Sequence, residues 1–258
     1  MAVWALFLDI DRTLTSTGYE IPKRNIDALK KARELGHKVF LNTGRSHGNI
    51  PTDICEQIDV DGIISGNGTV VSLGGEILYS DFMDRTVFEE LARAVYDNEN
   101  CWAVFEGLNC SYTVTGRNKL LSRSETDCSS FEALMERTRD DKIQVVAVNK
   151  GFCPALLERV KNEMSVYEFD TYYDIVPKGN NKSKGMARVL EMTGISPEHT
   201  MAFGDSENDM EMLINAGIGV AVANSQQQVI DIADYTAPSN EQGGVGEAIE
   251  RFILKGVK

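Results

Sequence analysis

The first apolar run of the chain ends in two carboxylates. In VWALFLDIDRTL, Asp9 and Asp11 stand two apart, and Thr13 follows two further on. A carboxylate can attack an electrophile or move a proton, and residues two apart on an extended strand face the same side. Three later segments carry groups that complement such a pair. They are Thr43, Gly44 and Arg45 in NTGR, Lys182 in GNNKSKG, and Asp205, Asn208 and Asp209 in GDSENDMEML. Acids gathered in one place repel one another and call for a cation. With oxygen donors only, and no histidine or thiolate near these motifs, a hard ion such as Mg²⁺ suits them. Lys182 stands just ahead of a predicted helix, with Lys184 two residues on. Asn67, in an Asn-Gly turn, and Asn224 are further polar candidates, each equally explained by a turn.

Groups so far apart in sequence need strands that end where they stand. Residues 3–8 suit a strand buried on both faces of a parallel sheet. Ile26, Leu29, Ala32 and Leu35 share one helical face over 23–35, and Gly36 stops that helix. KVFLNTGR reads as a second strand running into a polar turn, with Ser46 placed to cap a short helix interrupted by Pro51. DGIISGNGTVV predicts strand, Asn67-Gly68 turn, strand. Between 81 and 179 the rhythm changes. Helices at 87–96, 131–137 and 154–164 alternate with strands at 102–105, 112–115, 143–148 and 167–176. The first rhythm then returns with a helix at 183–192 ending at Gly194, the strand TMAFGD, a helix at 209–216, the strand GVAV, and helices at 225–233 and 245–254. This pattern predicts an α/β fold whose core is made from both ends of the chain, with the middle module inserted and PKGNN as the return hinge. In an open parallel sheet, ligands bind beyond the carboxyl ends of the strands, where Asp9, Asp11, Thr43 and Asp205 all fall.

The bulk properties narrow the class. A formal net charge of −13 over 258 residues, with no local basic patch, argues against nucleic acid as a partner. No apolar stretch approaches the roughly 20 residues that span a bilayer, and no secretory leader or membrane association is expected. The five cysteines (Cys55, Cys101, Cys110, Cys128 and Cys153) are scattered and form no C-x-x-C. That spacing predicts neither a disulfide framework nor a zinc site, and a cytoplasmic setting. The three histidines, His37, His47 and His199, have no metal-binding spacing and read as surface or turn residues.

Taken together the motifs resemble the haloacid dehalogenase superfamily, specifically the Cof-like phosphatases that carry an inserted α/β cap. DIDRTL resembles the first motif of that family, NTGR the second, GNNKSKG the third and GDSENDMEML the fourth. GVAVANS, ADYTAP and SNEQGGVGEAI resemble its closing segment. The resemblance implies a Rossmann-like parallel-sheet core at 1–80 and 180–258 and an inserted α+β cap at 81–179. It implies a Mg²⁺-dependent phosphatase acting on small-molecule phosphate esters, often sugar phosphates, through an aspartyl-phosphate. Asp9 would be the nucleophile and Asp11 the acid and base. Thr43, Gly44, Arg45, Lys182 and Asn208 would bind the phosphoryl end of the substrate. Asp9, the backbone carbonyl of Asp11, Asp205 and Asp209 would hold the metal. Tyr112, Arg117, Lys119, Tyr172, Tyr173 and Asp174 are cap candidates for leaving-group contact. A monomer or weak homodimer is expected. A phosphotransferase or phosphomutase on the same core, and a non-catalytic phosphometabolite-binding regulator, are the alternatives. One residue departs from the family. Arg12 stands where glycine is usual, so its backbone must stay open to a side chain, and its side chain is expected to point out of the pocket or toward the cap.

Overall fold

The computed structural model describes residues 2–16, 20–114, 125–128 and 130–255. The chain divides into two compact units, one of Met1–Gly44, Pro51–Tyr79 and Asn181–Lys258, the other of Arg45–Ile50 and Ser80–Asn180.

The first unit opens with β1 (Ala5–Leu8), α1 (Lys23–Glu34), β2 (Lys38–Asn42), α2 (Thr52–Ile58), β3 (Gly62–Ser65), β4 (Val70–Leu73) and β5 (Glu76–Ser80). The second unit follows with α3 (Arg85–Tyr96), β6 (Ala103–Gly107), β7 (Ser111–Val114), β8 (Glu125–Asp127), α4 (Phe131–Arg137), β9 (Ile143–Asn149), α5 (Pro154–Glu163), β10 (Met164–Glu168) and β11 (Tyr172–Pro177). The chain then returns through α6 (Lys182–Thr193), β12 (Thr200–Gly204), α7 (Met210–Asn215), β13 (Ile218–Val222), α8 (Gln227–Ile232), β14 (Tyr235–Ala237) and α9 (Gly244–Phe252).

The sheet of the first unit runs in the order β14-β13-β12-β1-β2-β3-β4-β5. From β14 to β3 every neighbouring pair is parallel, and β3 and β4 form the antiparallel hairpin at Asn67-Gly68. The fold is therefore α/β with a parallel-dominated central sheet. The run of 5–8 is buried throughout, as a central parallel strand covered on both faces must be. Phe7 stacks on Phe40 of the next strand, ring centroids 5.1 Å apart. This packing fixes the register of β1 against β2 and so the level at which each strand stops. Because β12, β1 and β2 are adjacent and parallel, Asp205, Asp9 and Thr43 leave the sheet at the same edge.

The second unit has its own six-stranded sheet in the order β10-β11-β9-β6-β7-β8. Its apolar face packs on α3, α4 and α5 through residues such as Phe88, Leu91, Phe105, Leu134, Val146 and Val160. The run at 167–176, expected as one strand, is instead a hairpin: β10 pairs antiparallel with β11 across residues 169–171. The end of the strand expected at 112–115 lies outside the described residues. The short strands β5, β8 and β14 carry no clear sequence signal.

Candidate active site

Asp9 continues β1 by one residue, in extended backbone with its N–H donating to the Phe203 carbonyl at 3.1 Å. The chain then curls through Ile10–Leu14, the Leu14 N–H returning to the Asp9 carbonyl at 3.2 Å. Asp9 is buried while Asp11, on the turn, is partly exposed. The turn is braced from three sides by amides. Asn25 donates to the Leu14 carbonyl at 3.1 Å, Asn240 to the Thr15 carbonyl at 2.8 Å, and Asn224 to the Arg12 carbonyl at 2.8 Å. Buried carbonyls in an irregular turn need such partners, and here side chains distant in sequence supply them.

Lys182 is the first residue of α6. Asn181 caps that helix by accepting the Lys184 N–H at 2.7 Å, and Asn42 on β2 donates to the Lys182 carbonyl at 2.9 Å. The helix start is thereby tied to the sheet, which aims the lysine inward. Its side chain is buried and its ammonium donates to Asp9 Oδ1 and Asp209 Oδ1, each at 2.6 Å. Lys184 is exposed, so the cationic position belongs to Lys182.

Asp205 follows β12. Asp209 turns back on it, accepting the N–H groups of Asp205 and Ser206 on Oδ2 at 3.1 Å each. Both oxygens of Asp209 are thus engaged. This fold-back needs Gly204, because a Cβ there would fall 2.3 Å from the Asp209 Cβ. Asp205 Oδ1 accepts from the Thr13 hydroxyl at 3.4 Å, whereas Asp205 Oδ2 is buried without a hydrogen-bond partner.

Three buried acids around one lysine leave an excess of negative charge. Asp9 has a pKa raised well above the usual carboxylate value. Burial is the main cause; Lys182 opposes it, and Asp209, Asp205 and Asp11 add to it. Asp205 is pushed up to about 7, by burial and then by Asp209, against the attraction of Arg12 and Lys182. For Lys182 burial favours the neutral form, but Asp209 and Asp9 more than offset it and hold the pKa above the ordinary lysine value. Carboxylate oxygens of Asp9, Asp205 and Asp209 lie within 4.8 Å of one another. An unpartnered buried carboxylate oxygen, oxygen-only donors and uncompensated charge fit a hard divalent cation.

Thr43 is buried at the end of β2; its N–H donates to the Ile64 carbonyl at 2.9 Å, and its carbonyl accepts from the Asn67 N–H at 3.1 Å. Gly44 lies against two amides, since a Cβ there would come 3.4 Å from Asn67 Nδ2 and 3.5 Å from Asn208 Nδ2. Asn208 donates to Asn67 Oδ1 at 3.0 Å. The structure therefore brings Asp9, Lys182, Asp205 and Asp209 into one cluster and joins Gly44, Asn67 and Asn208 in another. Asp11 is near enough to raise the Asp9 pKa. Arg45 belongs to the second unit, where its guanidinium braces its own loop by donating to the Asn49 carbonyl at 3.2 Å.

Among the cap candidates, Tyr112 donates to Asp141 Oδ2 at 3.0 Å and Tyr172 stacks on Phe169 at 4.7 Å, contacts internal to the second unit. Tyr173 lies near Lys150, whose ammonium is 5.7 Å from its ring centroid, and Asp174 is buried. Arg117 and Lys119 lie outside the described residues. His37, expected as a surface or turn residue, is buried and accepts the Trp4 N–H on Nδ1 at 3.1 Å. Sequence reasoning missed Asn25, Asn42, Asn181 and Asn240 as positioning residues. Asn181 had a visible signal, a capping residue just before an apolar helix; Asn25 and Asn42 had none.

Residues 6–249 match the model of the haloacid dehalogenase-like hydrolases, and the chain belongs to that family. Within it, the chain is 27% identical over 251 residues to a phosphoglycolate phosphatase of Methanothermobacter thermautotrophicus, covering 96% of this chain and 98% of that protein. It is 29% identical over 281 residues to the chloroplastic endoribonuclease YBEY of Arabidopsis thaliana, covering 96% of this chain but only 46% of that longer protein. Among solved structures, the subclass IIB sugar phosphatase BT4131 superposes with a TM-score of 0.81 at 25% identity, over 97% of this chain and 99% of that one. Among the described residues, no helix is long and apolar enough to cross a membrane.

Proposed function

We propose that this hydrolase is a Mg²⁺-dependent phosphatase that cleaves small phosphate esters, sugar phosphates among them, through an aspartyl-phosphate on Asp9. The observation that carries the reading is Lys182, buried and bonded to both Asp9 and Asp209, beside a buried Asp205 oxygen that accepts no hydrogen bond. A nucleophilic carboxylate is useful at neutral pH only if its charge is held and its approach to a phosphate dianion is eased. Mg²⁺ held by Asp9, the Asp11 carbonyl and Asp205 would supply positive charge where the phosphoryl oxygens gather. Asp209, which holds Lys182 and the 205–206 backbone in place, would support the ion directly or through water.

Asp9 attacks phosphorus in line with the leaving alkoxide. Asp11, less buried than Asp9, protonates that alkoxide and then takes a proton from the water that hydrolyses the intermediate. The Thr43 hydroxyl, Lys182 and the backbone N–H groups after β2 hold the phosphoryl oxygens. Gly44 lets Asn67 and Asn208 close on the same edge. Residues 81–179 would select the substrate, and the scattered cysteines, which form no C-x-x-C, support a cytosolic setting. The test is a panel of phosphate esters with and without Mg²⁺, with Asp9→Asn as control and an added acceptor sugar to detect transfer. Metal-dependent phosphate release by the wild type alone supports the reading; equal behaviour of wild type and Asp9→Asn overturns it.

A further inference from the structure

Arg12 sits where the neighbouring carboxylates make a cation valuable. Its backbone is left-handed, at φ 62° and ψ 4°, a region that favours glycine. Asn224 holds it there, donating to the Arg12 carbonyl at 2.8 Å while the Asn224 carbonyl accepts from Arg12 Nη2 at 3.4 Å. Asn224 is itself fixed, its Oδ1 accepting the Asn240 N–H at 2.9 Å. This conformation turns the side chain back across the site rather than simply outward. Arg12 Nε lies 3.6 Å from Asp205 Oδ2, the buried oxygen that has no hydrogen bond.

We propose that Arg12 is a tethered counter-cation that competes with the divalent ion for Asp205 and sets the metal affinity of the site. The proposal rests on the reading of Asp9 and Asp205 as metal ligands. Two features make the guanidinium a weak competitor rather than a permanent partner. The contact is ionic and too long for a hydrogen bond, and the Arg12 side chain is 64% exposed, so water can take it over at little cost. When a divalent ion takes the Asp205 oxygen, the guanidinium is left facing a cation, and repulsion opposes the ion's binding. An enzyme with a neutral residue here would hold its metal more tightly.

The experiment is titration calorimetry of metal-free protein with Mg²⁺ alone, at about pH 8 and low ionic strength. One unit charge removed within several ångströms of a dication predicts that Arg12→Gln lowers the Kd by roughly three- to tenfold, with the difference shrinking as salt screens it. Arg12→Lys keeps the charge and should stay within about twofold of wild type on the same reasoning. Arg12→Gly, which suits the left-handed backbone, should tighten binding like Arg12→Gln and serves if that variant folds poorly. Unchanged or weaker Mg²⁺ binding in both neutral variants overturns the proposal while leaving the metal reading intact. Absence of Mg²⁺ binding in the wild type and in every variant overturns the metal reading itself, and this proposal with it.

Discussion

Replacing Lys182 by methionine removes the buried cation between Asp9 and Asp209 while nearly conserving volume. Two charged hydrogen bonds of 2.6 Å are lost, and both carboxylates remain buried. Breaking a buried ion pair by deleting one partner costs about 3–5 kcal/mol, because the remaining charge is neither solvated nor compensated. In metal-free protein at about pH 8 the variant should lose that much stability. The loss should shrink on acidification, and its sign follows from the carboxylates. Asp9 and Asp205 already have folded-state pKa values above the ordinary 3.8, and without the lysine they rise further. Groups with raised folded pKa values stabilise the fold fully below their unfolded pKa, and that stability disappears as pH rises through the folded values. Acidification to about pH 5 therefore protonates Asp9 and Asp205 and recovers part of the loss. Urea unfolding followed by circular dichroism, in EDTA at both pH values, measures the gap. A penalty below about 1 kcal/mol at pH 8, or one equal at both pH values, would refute the claim that Lys182 is the charge holding the acids together.

Other consequences are equally accessible. In EDTA the wild type should lose stability between about pH 4 and pH 7, as Asp205, with its pKa near 7, gives up its proton in the fold; excess Mg²⁺ should flatten that decline, as thermal melts across the range will reveal. Gly204→Ala should displace Asp209 and with it Lys182, because the new Cβ would sit 2.3 Å from the Asp209 Cβ; the measurable outcome is a kcat loss of roughly tenfold or more with the protein still folded. Asn224→Ala removes the donor to the Arg12 carbonyl and the acceptor of the Asn240 N–H, and should cost about 1–3 kcal/mol in denaturant unfolding.

Much of the site was legible because Asp9, Thr43 and Asp205 each follow the end of a strand, and buried parallel strands announce themselves as apolar runs. Residues 5–8 and 200–204 read that way, and two parallel strands ending in acids put Asp9 and Asp205 at one sheet edge. The hairpin at Asn67-Gly68 followed from turn chemistry. What escaped was set by tertiary contacts. The three-residue strand β14 and the exposed β5 form because a sheet edge is there to receive them, and nothing in YTA or EILYS demands it. The 167–176 run reads as one strand because Tyr167 and Phe169 lead into Tyr172, Tyr173, Ile175 and Val176, all residues that favour strands. The direction of Arg12 depends on a positive φ imposed by Asn224, more than 200 residues away, which no local pattern encodes. Arg12, expected to point out of the pocket or toward the cap, has a largely exposed side chain whose Nε passes 3.6 Å from Asp205 Oδ2 and whose Nη2 donates to the Asn224 carbonyl.

The central claim is that Asp9 becomes phosphorylated during turnover. Rapid acid quench of the enzyme with a good phosphate-ester substrate and Mg²⁺, followed by borohydride reduction, converts an aspartyl-phosphate to homoserine at that position. Peptide mass spectrometry should find homoserine in place of Asp9, dependent on substrate and absent in Asp9→Asn. Normal phosphate release with Asp9 never reduced would contradict the account.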